Sequence, residues 1–466
     1  MASASSLVPT RNGSSDAGEL TTFVSRIVVE PLFGNPRYSY DLKPDGNITS
    51  LSKLLILYGE NGTGKTTLLW LLYHLLQHRI DKSYIAKVRF KRFAVFLGDS
   101  MEIAVERKQS AEGSFTMSVS EPGRKKEEQS VAVDEFGRLL PMSEKDSLAF
   151  ANFLKRIPDL QLVFLPDTRR TVPIPDPEEE EGEERLILRE SGHVERIIRR
   201  RVGSMHGEVR PGADPVLERA LRRVSRWISN QALAGSTEGQ LNVNAVYSDI
   251  VARVATARAT RRGDVQTADQ LIATLVSQAQ QTKEFSQFGF TSDFKVEPLI
   301  ASIEKSRASK NRLSIIEQIL RPYIEGNAAR LNALTQIQQV VKTFVGSINA
   351  FLVDKKLVFH TSLGIRIITD DGMRLSPRLL SSGEKELLLL FCNVLISRSA
   401  ATVFIIDEPE LSLNVIWQRM LIDSLLRLVS HSRVQFLLAT HSIELLAQHR
   451  SNVLRLTASA NEERHV

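Results

Sequence analysis

KLLILYGENGTGKTTLLWLLYHLLQ, residues 53–77, joins three unlike pieces. KLLILYG (53–59) is an unbroken apolar run, the pattern of a strand buried on both faces of a parallel sheet. TTLLWLLYHLLQ (66–77) is an apolar helix. Between them Gly59-Glu60-Asn61-Gly62-Thr63-Gly64-Lys65-Thr66 fits G-x-x-x-x-G-K-[ST]. Its glycines let the loop curl so that backbone N–H groups face phosphate oxygens, and the following helix adds the positive end of its dipole. A strand–loop–helix of this kind predicts an α/β fold that binds a nucleotide. Glu60, Asn61, Gly62, Thr63, Gly64, Lys65, Thr66 and Thr67 are the expected ATP contacts. Lys65 is expected at the β- and γ-phosphates and Thr66 on Mg²⁺.

A second apolar run, Val403-Phe404-Ile405-Ile406, ends in Asp407-Glu408. Burial of such a strand in a parallel sheet delivers two carboxylates to its C-terminal end, where ligands bind in these sheets. Asp407 is the expected Mg²⁺ partner through water, and Glu408 the residue that orients and polarises the attacking water. Alone, an apolar run ending in Asp-Glu also describes a strand that meets a solvated turn; the phosphate loop upstream gives it meaning.

The pattern between these two motifs predicts a divided chain. FVSRIVVEPLFGNPRYSYDL (23–42) reads as a hairpin, and RFAVFLG, MEIAVERK and SFTMSVSE (89–120) as antiparallel strands. Residues 143–156 read as a helix and 160–170 as a strand with a polar end. PIPDPEEEEGEE (173–184) has nothing to bury and reads as a linker. From Glu195 to about Phe351, apolar residues recur at helical spacing in LERALRRVSRWI, VYSDIVARVATA, ADQLIATLVSQAQ, IEQILRPYIE and LNALTQIQQVVKTFVGSINAFL. KKLVFH and GIRIITD then form a hairpin, before a helix from Gly383, the strand at 402–408, another helix, and the strand QFLLATH (435–441). The expected organisation is a disordered tail at 1–20, a first ATPase lobe at 21–172, a linker and helical insertion at 173–350, and a second lobe at 351–466.

Leu380-Ser381-Ser382-Gly383-Glu384-Lys385 precedes an apolar helix. As a bare pattern it suits an ordinary helix cap. Set between the two motifs above, it resembles the signature of ABC-type ATPases in the form used by the SMC-, RecF- and OLD-like branch. The resemblance implies that Ser381, Ser382, Gly383 and Glu384 meet the γ-phosphate of ATP held by another protomer, so that a homodimer or higher homo-oligomer is the working form. Pro409-Glu410-Leu411-Ser412-Leu413-Asn414 is similar to that branch's D-loop, and Thr440-His441-Ser442 to its switch histidine; His441 is thereby implied to sense the γ-phosphate. No Q-loop glutamine can be placed; Asp167-Thr168-Arg169-Arg170 is where its equivalent would stand. Tyr38 and Tyr40 either stack on adenine or pack the hairpin.

The remaining features bear on partners. The chain has 466 residues, a net charge of +6 and a single cysteine, Cys392, inside LLLLFCNVL, where a buried thiol in a reducing cytoplasm is expected. No apolar run approaches the ~20 residues of a membrane span. Residues 185–226 hold eleven arginines against five acidic residues, with Arg199, Arg200 and Arg201 consecutive. That block either pairs with the acidic run, binds nucleic acid or binds an acidic partner. The 25 residues after His441 leave no room for a fused TOPRIM nuclease, and no HNH motif is present. The chain therefore resembles the stand-alone ATPases of bacterial anti-phage systems, AriA of PARIS and PtuA of Septu. That likeness implies a separate effector protein, a TOPRIM or HNH nuclease, and a phage protein or nucleic acid as trigger. A DNA-repair or chromosome-maintenance ATPase is the alternative. A transporter subunit fits less well, since the signature is of the other branch.

Overall fold

A computed structural model of the chain describes residues 23–43, 52–79, 82–98, 101–134, 136–166, 216–235, 267–292, 294–411 and 413–456. Packing divides the chain into two compact units: residues 1–204 with 397–466, and residues 205–396.

The first unit holds two sheets. β1 (Val24–Glu30), β2 (Tyr40–Leu42), β4 (Phe90–Leu97), β5 (Met101–Ala111), β6 (Phe115–Ser120) and β7 (Glu127–Val131) form an antiparallel sheet in the order β2-β1-β4-β5-β6-β7. β3 (Leu54–Tyr58), β8 (Gln161–Leu165), β12 (Thr402–Asp407), β13 (Val434–Thr440) and β14 (Val453–Arg455) form a parallel sheet in the order β14-β3-β13-β12-β8. All six residues of β12 and all seven of β13 are buried, which is why both read as continuous apolar runs. Helix α1 (Lys65–Leu76) packs on this sheet and buries Leu68, Leu69, Leu71, Leu72, Leu75 and Leu76. Further helices follow: α2 (Ser83–Lys87), α3 (Glu144–Leu154), whose cap Ser143 accepts from the Asp146 amide, and α9 (Val415–Leu428), capped by Asn414. One core runs between the sheets through Phe93, Phe150, Phe164, Ile405 and Leu437.

A buried amide joins the two sheets. Gln435, at 0% exposure, accepts from the Val24 amide at 2.8 Å and donates to the carbonyls of Val24 at 2.8 Å and Ser52 at 2.9 Å. With its donors and acceptor engaged, this polar side chain sits in the core without the penalty of an unmade hydrogen bond.

The second unit is mainly helical. It contains α4 at 216–235, α5 (Ala268–Ser286), α6 (Glu297–Ser306), α7 (Lys310–Asn349) and α8 (Ser382–Ile396). A three-stranded sheet in the order β11-β10-β9 completes it, from β9 (Lys355–His360), β10 (Gly364–Thr369) and β11 (Arg374–Leu375). α5 opens with a full capping box between Thr267 and Gln270. α7 runs for 40 residues through Pro322 and joins into one helix the two helical patterns read at 316–325 and 331–352. Packing along both stretches, against α5 and α6, outweighs the ~3 kcal/mol that an interior proline costs.

β7 had no counterpart in the sequence reading. The chain also divides elsewhere than at 350/351. The hairpin β9–β10 packs on α7, and Phe351 meets Phe391 of α8 edge-on at 5.8 Å, so residues 351–396 belong to the helical unit. The tail at 1–20, the acidic linker, Arg199–Arg201, the helical pattern at 246–257 and the tetrad Asp167–Arg170 lie outside the described residues. None of the helices among the described residues is long and apolar enough to cross a membrane.

Candidate functional site

The C-terminal edge of the parallel sheet gathers residues that are far apart in sequence. Gly59–Gly64 follows β3, Asp407 and Glu408 end β12, and His441 follows β13, which lies between the other two strands. Gly62 and Gly64 have φ of 81° and 92°, the left-handed region that lets the loop curl. Gly64 has a second requirement. A Cβ there would lie 2.5 Å from Leu32 Cδ2 and 3.2 Å from the Phe33 ring.

Lys65 is 6% exposed, and its ammonium donates to the carbonyls of Gly59 at 2.8 Å and Glu60 at 3.1 Å. The loop is braced from within by Thr63, whose hydroxyl donates to the Glu60 carbonyl at 2.8 Å. It is braced from outside by Tyr40, whose buried hydroxyl donates to the Thr63 carbonyl at 3.1 Å. Tyr40 is thus a core residue, its phenol pushed up to about 12 by burial. Tyr38 packs edge-on against Phe33 at 6.2 Å. Phe33, 43% exposed with φ of 57°, is the aromatic group presented beside Gly64. The sequence reading named only the tyrosines; a phenylalanine at positive φ leaves no signal in a pattern of apolar positions.

Thr66 Oγ1 donates to Asp407 Oδ2 at 2.6 Å. Two hard oxygen donors side by side, one of them a carboxylate at 3% exposure, suit a small divalent cation such as Mg²⁺. The curled loop, with its lysine and helix start, suits a phosphate chain.

Glu408 follows at φ 50°, a backbone conformation that few non-glycine residues adopt. Its amide donates to the Ala439 carbonyl at 2.8 Å, which ties the end of β12 to β13. Its Oε2 lies 2.5 Å from His441 Nδ1. Burial, then the neighbouring Glu410 carboxyl, push Glu408 up to about 7, against the pull of His441. Glu410 is the residue that the sequence reading left without a role. Its Oε1 accepts from the Thr440 hydroxyl and from the amides of His441 at 3.1 Å and Ser442 at 3.2 Å. Gln418 of α9 joins the same network, donating to the Leu413 carbonyl and accepting from the Ser442 hydroxyl, each at 2.9 Å. The turn that presents His441 is therefore held by residues of the 409–418 segment.

The signature segment lies in the helical unit. Ser381 caps α8: its hydroxyl accepts from the Glu384 amide at 3.3 Å, and its amide donates to Glu384 Oε2 at 2.8 Å. Ser381 and Ser382 are exposed, whereas Gly383 and Glu384 are buried. The Glu384 carboxylate, expected at nucleotide, is instead turned onto Ser381 and onto Lys355, whose ammonium donates to it at 2.9 Å. Cys392 is fully buried, and its thiol is pushed far up by that burial.

Among solved structures the chain is similar to the Smc head domain with an extended coiled coil bound to the C-terminal domain of ScpA, from Pyrococcus furiosus. Identity is 14%, coverage 93% of this chain and 95% of that one, and the TM-score 0.32. It is also similar to the SMC head domain from Thermotoga maritima, at 9% identity, 91% and 92% coverage and a TM-score of 0.31. No curated protein matches it. Residues 45–446 match the AAA ATPase domain family, a span that contains every group above except the hairpin beside the phosphate loop, and the chain accordingly belongs to that family of ATPases.

Proposed function

We propose that the protein hydrolyses ATP with Mg²⁺ at composite sites between two copies of the chain, and that it serves as the sensor and scaffold of a bacterial anti-phage system. The observation that carries the catalytic part is the convergence of Lys65, the Thr66–Asp407 pair and the Glu408–His441 pair on one sheet edge. Loop amides and Lys65 bind the β- and γ-phosphates; to do so Lys65 exchanges its carbonyl partners for phosphate oxygens. Thr66 and Asp407 hold Mg²⁺, which supplies charge neutralisation on those phosphates when bound. Glu408 orients a water and accepts its proton as the oxygen attacks the γ-phosphorus and the β–γ bridging oxygen leaves with ADP. A carboxyl raised to about 7 is matched to that task near neutral pH. His441 contacts the γ-phosphate and reports its loss through Glu408. Glu60, Asn61, Gly62, Thr63, Gly64 and Thr67 complete the cradle. Ser381, Ser382 and Gly383 act on nucleotide held by the other copy, since the two serines are exposed at a helix start, where backbone N–H groups favour an anion.

Lys65→Ala tests the site: hydrolysis should be lost, and turnover within a few-fold of the unaltered chain would remove the assignment. The defence role is supported by the run LSSGEKELLLL (380–390) together with GENGTGKTT (59–67). In this reading the helical insertion binds a separate nuclease effector and releases it upon infection. Co-purification of a TOPRIM or HNH nuclease encoded beside the gene, and loss of phage protection in Lys65→Ala cells, test it. One observation favours the second reading, a DNA-binding ATPase of repair or chromosome maintenance. Arg219, Arg222 and Arg226 are exposed at helical spacing on α4. Tight, salt-dependent binding of duplex DNA by the protein alone would support it over the first.

A further inference from the structure

Three contacts, all within the helical unit, converge where α7 ends and α8 begins. Asn349, the last residue of α7, donates to the Leu357 carbonyl at 3.0 Å and accepts from the Leu357 amide at 2.7 Å, which locks β9 to the helix end. Phe351 packs edge-on against Phe391 of α8. Lys355, the first residue of β9, donates to Glu384 Oε1 at 2.9 Å, while Oε2 of the same carboxylate accepts from the Ser381 amide. The Lys355 and Glu384 side chains are 21% and 9% exposed.

A capping box usually needs no third partner; a surface Glu at N3 reaches back to the cap amide while solvated on its other side. Here the glutamate is buried, so its second oxygen needs a donor, and Lys355 provides it. Burial alone would raise the Glu384 carboxyl. The hydrogen bonds from Lys355 and Ser381 more than offset it and hold the group below the ordinary carboxylate range. The serine next to the exposed signature residue Ser382 therefore has its backbone fixed through Glu384 by Lys355, which lies 29 residues before that glutamate.

We propose that Lys355 is a positioning residue for ATP hydrolysis: through Glu384 it fixes the Ser381–Gly383 loop in the geometry that acts on nucleotide, and it ties that loop to the end of α7. This rests on the composite-site reading above. Its consequence is that whatever binds along the 40-residue α7 has a short mechanical route to the signature loop and none of that route passes through the phosphate loop.

The test uses Lys355→Met, which keeps the stem and removes the charge, and Lys355→Arg, which restores a donor. Lys355→Met should bind ATP within about twofold of the unaltered chain and lose about tenfold or more in kcat, because a correct ground state and a misplaced catalytic group split KM from kcat. Lys355→Arg should recover most of the loss. Mixing Lys355→Met with Lys65→Ala should restore turnover, since one site then combines an intact phosphate loop with an intact signature. Turnover of Lys355→Met within about twofold of the unaltered chain overturns the proposal. So does a loss of turnover in folded, ATP-binding Lys355→Met that mixing with Lys65→Ala does not rescue. If Lys355→Met does not fold, Glu384→Gln, which keeps the shape and the acceptor for Ser381, takes its place with the same expected and overturning results. Ser382→Arg mixed with Lys65→Ala is the control. If that mixture also stays inactive, the composite-site reading itself fails, and the failure is not specific to Lys355.

Discussion

Thr66 and Asp407 stand 341 positions apart in the chain, yet the hydroxyl of one donates to the carboxylate of the other at 2.6 Å. The contact aligns the first turn of α1 with the end of β12 before any cation arrives. Thr66→Val keeps the volume and removes the oxygen. The Mg²⁺ concentration for half-maximal turnover should rise by about tenfold or more, because one of two protein-side oxygens is gone. A Mg²⁺ titration of turnover at saturating ATP checks this, and an unchanged midpoint would place the cation elsewhere.

Glu408→Gln preserves shape and removes the base. Turnover should fall by about 10²-fold or more while ATP binding persists. The ATP-bound assembly should then accumulate, so that size-exclusion with ATP shows a larger species than without. Unimpaired turnover and no shift in size would argue against both the role of Glu408 and the two-copy site.

The same substitution should stabilise the nucleotide-free protein. A carboxyl raised to about 7 in the folded state binds its proton more tightly than in the unfolded chain, where it titrates near its ordinary 4.5. Its contribution is therefore favourable below about pH 4.5 and is lost as pH rises through the window from there to about 7. At pH 8 the Gln variant should gain about 1 kcal/mol over the unaltered chain, a figure discounted for the partly solvated position. At pH 5 the difference should shrink toward zero. Urea unfolding at the two pH values measures it, and a gain independent of pH would mean that the carboxyl is not strained by its surroundings.

Gly64→Ala meets two penalties, a left-handed backbone and the Leu32 side chain 2.5 Å from the new carbon. Together they should cost about 2–4 kcal/mol in unfolding free energy. Pairing it with Leu32→Ala removes the clash and leaves the backbone cost. The double variant should therefore be more stable than the sum of the singles by about 0.5 kcal/mol or more. Strict additivity would show that the hairpin does not press on the loop.

β3, β12 and β13 were legible because each is an apolar run followed by a polar motif, as in TVFIIDE, whereas the short β14 carries no such motif. The helical unit was legible only by period. The patterns at 316–325 and 331–352 read as separate helices, and the packing of α5 and α6 along α7 carries one helix through both. Glu384 has a partner that the sequence does not show. A motif that borders nucleotide invites every polar residue in it to be read as a contact, whereas this one is buried and paired with Lys355, which no local pattern connects to it. Glu410 and Phe33 were missed because their roles come from neighbours distant in the chain and from a positive φ, neither of which composition or spacing records.

The Gln435 clamp on Val24 spans 411 residues. Among the described residues β3, which launches the phosphate loop, pairs with β13 and β14, and β8 with β12. On a ribosome adding ~5–20 residues per second, Val24 waits roughly 20–80 s for its partner. During that time two strongly apolar strands have no sheet to join. A nascent chain halted short of residue 434 should thus lack the strand that β13 supplies beside β3 and should bind nucleotide more weakly. The order of manufacture thus bears on when the phosphate loop gains its frame, since the strand that flanks it is made about 380 residues later.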